Sequence, residues 1–79
     1  MEATLNGKKI TYTHLTEFSV QVGKGAKGGY NTRYTLMGSI QQALMYYEGI
    51  NIGNGYKKRL CMWVLNADNR YHREILLRG

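Results

Sequence analysis

Two neighbouring segments of the chain alternate between apolar and polar side chains with the two-residue period of a β-strand. In segment 17–23 every second residue from Phe18 is apolar. Segment 29–37 follows after a glycine-rich stretch and alternates again, so the two segments are predicted to pair as a hairpin. The same period predicts that three apolar residues of the second segment share one face: Tyr30, Tyr34 and Leu36.

The period then changes to that of an α-helix. Apolar side chains recur at positions i, i+3, i+4 and i+7 from Ile40 to Tyr47, which predicts one buried helical face. Ser39 followed by Gln42 is a capping box, in which a hydroxyl and an amide satisfy backbone N–H groups of the first turn. Gly49 is predicted to end the helix in a left-handed conformation. The helix is therefore expected over roughly residues 39–48.

The flanking segments indicate further strands. Asn6-Gly7 between two strand-like stretches predicts a type I′ hairpin. Segment 57–66 is apolar on both faces, as a central strand covered at least in part on both sides would be. Turn residues at 66–69 precede a return strand over 70–79. The sequence thus predicts one α+β domain of order β-β-(β)-β-α-β-β, with about four to six strands in antiparallel hairpins and one helix packed on a face.

Charge is the strongest compositional signal. Eleven Lys and Arg stand against five acids, which gives a formal net charge of +6 and a pI near 9.7. Such an excess favours a polyanionic partner, most often a nucleic acid, although a basic shell also serves solubility. No apolar run approaches the ~20 residues that a membrane-spanning helix needs, and a lone cysteine, Cys61, fits a reducing cytoplasm as a small buried residue.

The stretch VGKGAKGGY contains a literal G-x-G-x-x-G at Gly23, Gly25 and Gly28. A nucleotide-binding loop of this spacing leads into a helix, whereas here a strand is predicted to follow. Two interpretations stay open: a glycine-rich hairpin tip, or a basic finger in which Lys24 and Lys27 follow a phosphate backbone.

Basic and aromatic side chains are interleaved elsewhere in the chain, a composition typical of surfaces that bind nucleic acid and of protein interfaces. Tyr46 lies off the predicted buried face of the helix, so we count it among the candidate binding residues. The candidate binding residues are Lys24, Lys27, Arg33, Lys57, Lys58, Arg59, Arg70, Arg73, Tyr30, Tyr34, Tyr46, Tyr56 and Tyr71.

The sequence offers little for catalysis. His72 and Glu74 share a strand face and are the best candidate for a ribonuclease-like acid–base pair, although an exposed polar pair is the simpler interpretation. The pattern predicts no enzyme, no cofactor and no metal site, since cysteine and histidine are too few for the usual zinc ligand spacing.

In size and composition the chain resembles short proteins of phages and mobile elements, including anti-CRISPR and other host-takeover proteins. That resemblance implies an inhibitor that docks on a host nucleic-acid-handling protein in the host cytoplasm. The sequence therefore leaves three functions open: a non-enzymatic, sequence-nonspecific nucleic-acid binder, such an inhibitor, and a small ribonuclease or toxin. A homodimer is compatible with each, because a small sheet can leave an apolar face or edge uncovered.

Overall fold

The structure is a computed structural model that describes residues 1–25 and 28–79. Those residues form six strands and one helix in the predicted order, which confirms the α+β class. The elements are β1 (Glu2–Leu5), β2 (Lys8–Thr11), β3 (Glu17–Gly25), β4 (Gly29–Met37), α1 (Ile40–Gly49), β5 (Lys57–Leu65) and β6 (Tyr71–Arg78).

The strands form two antiparallel sheets. β1 and β2 make a two-stranded hairpin, and the other strands make a four-stranded sheet in the order β4-β3-β5-β6. The turn between β1 and β2 is the predicted one, with positive φ at both Asn6 (49°) and Gly7 (79°). The segment rich in apolar residues, β5, is confirmed as a central strand because it pairs with both β3 and β6.

The four-stranded sheet has two faces of different character. The helix face carries the even-numbered side chains of β3 and β5, among which Phe18, Val20 and Leu60 are fully buried. Ile10 from the β1–β2 hairpin and Ala43 and Tyr47 from α1 pack in the same core. The opposite face, called the open face below, carries the odd-numbered side chains: Glu17, Ser19 and Gln21 of β3, and Lys57, Arg59, Cys61, Trp63 and Leu65 of β5.

A β-bulge in β4 corrects one prediction. Val20 pairs with Tyr34 but Gln21 pairs with Thr32, so Arg33 is an extra residue between the two pairs. An extra residue reverses the alternation beyond it. Tyr34 and Leu36 therefore share the helix face as predicted, whereas Tyr30 lies opposite Gly23 on the open face. The prediction that Tyr30 shares a face with the other two was wrong.

The helix begins as predicted and ends differently. The Ser39 hydroxyl accepts a hydrogen bond from the Gln42 backbone N–H at 3.2 Å. Gly49 is the last helical residue and does not have a positive φ; the chain leaves the helix through Ile50 in an extended conformation (φ −73°, ψ 132°). The left-handed stop predicted at Gly49 was wrong. Instead, the Lys58 ammonium donates to the Tyr47 carbonyl at 2.8 Å and satisfies one of the unpaired carbonyls of the last turn.

Among the described residues, no helix has the length and apolarity needed to cross a membrane. The same residues bring no three His, Cys, Asp or Glu side chains together where they would share a metal ion.

Candidate functional site

Within residues 1–25 and 28–79, no secondary-structure element packs over the open face, yet several polar side chains on it are buried. Ser19 and Gln21 are 2% and 5% exposed, and Cys61 is fully buried. Their cover comes from longer side chains of the same sheet, which bond to them directly. The second apolar face of β5 is thus shielded by arginine and aromatic side chains rather than by a second layer of the protein.

Arg59 is held in place by Gln21 and Tyr30. Its Nε donates to the Gln21 Oε1 atom at 2.7 Å, and its guanidinium carbon lies 3.8 Å from the centroid of the Tyr30 ring. The Gln21 amide is fixed in turn, since its Nε2 donates to the Thr32 hydroxyl at 3.1 Å. One face of the guanidinium therefore rests on an aromatic ring, and a planar group can stack on the other.

Trp63 is fixed in a similar way further along β5. Its indole Nε1 donates to the buried Ser19 hydroxyl at 2.9 Å. The Arg73 guanidinium lies 5.9 Å from the centroid of the indole, and Arg73 is the cross-strand neighbour of Trp63 in β6. The open face thus presents two neighbouring pairs of arginine and aromatic ring, each anchored by a buried polar side chain.

Among the described residues, no carboxylate forms an ion pair with the cations of this face. Arg59 and Arg78 are direct cross-strand partners, an arrangement of like charges that costs stability. Burial raises the pKa of the Cys61 thiol, while the nearby charges of Arg59, Arg73 and Arg78 lower it. Across residues 1–25 and 28–79 the ion pairs are Lys9 with Glu2 and His72 with Glu74, so neither involves an open-face cation.

One end of the open face forms a basic cleft of about 570 Å³. Its lining includes Tyr30, Tyr56, Lys57, Arg59 and Arg78. Lys24 approaches from β3, with its ammonium 5.5 Å from the centroid of the Tyr56 ring. Four predicted binding residues therefore lie together with Arg78 in this cleft, and a fifth, Lys24, lies close to it.

The other end of the open face forms a second cleft of about 330 Å³, called the indole cleft below. It is lined by Leu15, Glu17, Met37, Trp63 and Tyr71. Leu15 and Tyr71 are each 70% exposed and Met37 is 54% exposed. Of these residues, only Tyr71 was among the predicted binding residues.

The remaining predicted residues lie elsewhere. The Lys58 ammonium donates to a carbonyl at the end of α1 and also lies 4.6 Å from the Tyr47 ring centroid. Arg33 lines a cleft on the helix side with Val22. Tyr34 and Tyr46 stack on each other at 4.7 Å, and Arg70 is exposed in the β5–β6 turn. Lys27 lies outside the described residues.

Sequence reasoning missed Trp63, Gln21 and Arg78 as members of the site. Alternation in β5 put Trp63 on the same side as Cys61, which was a usable signal. Gln21 and Arg78 could be assigned only from the register of β3, β5 and β6.

His72 and Glu74 do approach each other, with 3.6 Å between Nε2 and Oε1. They lie opposite Val64 and Met62, on the helix side of β6, whereas Arg73 between them lies on the open face. The pair is therefore separated from the open-face cations by the sheet, and its chemical role stays a prediction.

Comparisons of the chain with protein-family models, with curated proteins and with solved structures returned no match.

Proposed function

We propose that this chain is a non-enzymatic module that binds single-stranded nucleic acid across its open face. The observation that carries the proposal is the cross-strand pair Arg59 and Arg78, which stands beside Lys57 with no carboxylate paired to it among the described residues. Like charges held opposite each other destabilise the free protein. A phosphate placed between them removes that repulsion.

The aromatic rings favour a single strand over a duplex. Tyr30, Trp63 and Tyr71 lie on the same face as the cations, within or beside the two clefts. Unpaired bases can stack on such rings, or on the outer face of a guanidinium that already rests on one. A duplex hides its base faces and would use only the cations.

The backbone contacts should be independent of base sequence and sensitive to salt. If Lys57, Arg59, Arg73 and Arg78 each neutralise one phosphate, log affinity falls against log salt with a slope of about −3, at about −0.7 per contact. Binding of labelled single-stranded DNA and RNA is measured by fluorescence anisotropy between about 50 and 200 mM salt.

Two double variants distinguish the contribution of the open-face cations to binding from the contribution of the overall net charge. Arg73→Gln with Arg78→Gln removes two open-face cations, whereas Lys8→Gln with Arg33→Gln removes the same charge from β2 and from the β4 bulge. The first is expected to reduce the slope to about −1.4 and the second to leave it near −3. Equal slopes in the two variants, or no binding of either nucleic acid at low salt, would refute the proposal. In the latter case the open face would be left to an acidic protein partner.

A further inference from the structure

The indole cleft contains an acidic side chain in an otherwise apolar setting. Glu17 is partly buried there among Leu15, Met37, Trp63 and Tyr71. No hydrogen bond or ion pair engages the Glu17 carboxylate within residues 1–25 and 28–79, whereas Glu2 is paired with Lys9 and Glu74 lies 3.6 Å from His72. A partly buried carboxylate beside exposed apolar side chains is a hydrogen-bond acceptor available to a ligand.

The lining of this cleft suits a flat, partly apolar group. The Ser19 hydroxyl fixes the Trp63 indole through its Nε1, so one wall is held rigid before any ligand arrives. Met37 is the cross-strand neighbour of Glu17 and supplies a flexible apolar wall near the carboxylate. Arg73 beside the indole places a positive charge at the rim, which disfavours a cationic ligand and admits a phosphate.

We propose that the indole cleft holds one unpaired nucleobase, and that the Glu17 carboxylate accepts a hydrogen bond from its exocyclic amine. This inference rests on the proposed function, because the strand that delivers the base is held by the cations of the open face. Cytosine, adenine and guanine carry an exocyclic amine, whereas uracil and thymine present a carbonyl at the equivalent pyrimidine position. A carbonyl facing the carboxylate would leave two acceptors opposed. The chain therefore combines sequence-independent backbone contacts with a preference for amine-bearing bases at one position.

The test compares two ligands of nearly equal size, single strands of about eight deoxycytidines or eight deoxyuridines. The wild-type chain is expected to bind the cytosine strand about 10- to 100-fold more tightly, the range for one hydrogen bond to a charged group. Glu17→Gln is expected to abolish this preference, because an amide can face either base. Glu48→Gln is the matched control, since it removes the same charge from the exposed surface of α1 and should retain the preference.

A ligand change tests the same contact without altering the protein. In a strand of pyrimidin-2-one nucleotides hydrogen replaces the amine, and its affinity is expected to fall to that of the uracil strand. This inference is overturned, and the proposed function retained, if binding depends on salt but shows no preference for cytosine. The same conclusion follows if the preference is unchanged in Glu17→Gln and with the pyrimidinone strand. Failure of every strand to bind in a salt-dependent way overturns both.

Discussion

Replacement of Arg59 by lysine separates the charge of this residue from its geometry. Lysine keeps the positive charge but lacks the planar fork that both bonds Gln21 and rests on Tyr30. The hydrogen bond to the Gln21 Oε1 at 2.7 Å involves a charged donor, and such bonds contribute about 1.5–3 kcal/mol. The stack on Tyr30 adds about 0.5–1 kcal/mol at a partly exposed site.

Arg59→Lys is therefore expected to lower the free energy of unfolding by about 2 kcal/mol, after allowance for a lysine that bonds Gln21 imperfectly. For a domain of this size that loss corresponds to a fall in Tm of about 10 °C. Urea unfolding followed by circular dichroism measures the free energy, and a thermal scan measures the Tm. The matched control is Arg33→Lys, made at the exposed bulge of β4, which is expected to change stability by less than about 0.5 kcal/mol. Equal stability of the two variants would refute the anchoring role of Gln21 and Tyr30.

Three further outcomes test the assignment of individual residues. Lys58→Gln is expected to lower the free energy of unfolding by about 1 kcal/mol through the lost bond to the Tyr47 carbonyl, while the salt dependence of nucleic-acid binding stays unchanged; a reduced salt slope would contradict this. Gly23→Ala is expected to destabilise the β3–β4 hairpin, because its Cβ would clash with the backbone carbonyl oxygen of Gly29. Gly49→Ala meets open space and should be neutral or stabilising in the same urea titration. Burial raises the pKa of the Cys61 thiol above its ordinary 9.0, so the unfolded chain loses this proton at a lower pH than the folded chain. The free energy of unfolding should therefore fall as pH rises above about 9. A similar fall in the Cys61→Ala variant would show that other groups cause the pH dependence.

The elements whose signals are local could be predicted from the sequence. The first hairpin follows from Asn6-Gly7, since both residues have the positive φ that the turn requires. The start of α1 follows from Ser39 and Gln42, because the Ser39 hydroxyl accepts the hydrogen bond from the Gln42 N–H that a helix cap requires. These features depend on residues close together in the chain, so no knowledge of the tertiary fold is needed.

The features that depend on tertiary contacts could not be predicted. The local sequence around Arg33 does not mark it as the extra residue of a bulge, because the bulge is defined by pairing with β3. The end of α1 depends on Lys58, which comes from a strand that follows the helix and is not an adjacent capping residue.

The candidate site shows the same division. Composition and interleaving predicted Arg59 and Arg73, which lie on the open face, as candidate binding residues. They gave equal weight to Arg33 and Lys58, which lie on the other side of the sheet or at the helix end. Strand register decides which cations share a face, and register is set by pairing across distant segments. The sequence also could not show that, in the part of the chain that the structure describes, no second layer covers the open face.

The most direct test of the open face as the binding surface is a titration of ¹⁵N-labelled protein with a single-stranded oligonucleotide, followed by NMR. The indole N–H of Trp63 and the side-chain N–H of Arg59 lie on this face, and the side chains of Tyr30 and Arg73 lie there as well. These two side-chain signals and the backbone amides of Tyr30 and Arg73 are expected to shift together as the strand binds. The amides of β1, β2 and α1 should stay near their free positions. Shifts confined to those elements, with the Trp63 indole signal unmoved at saturation, would contradict the account.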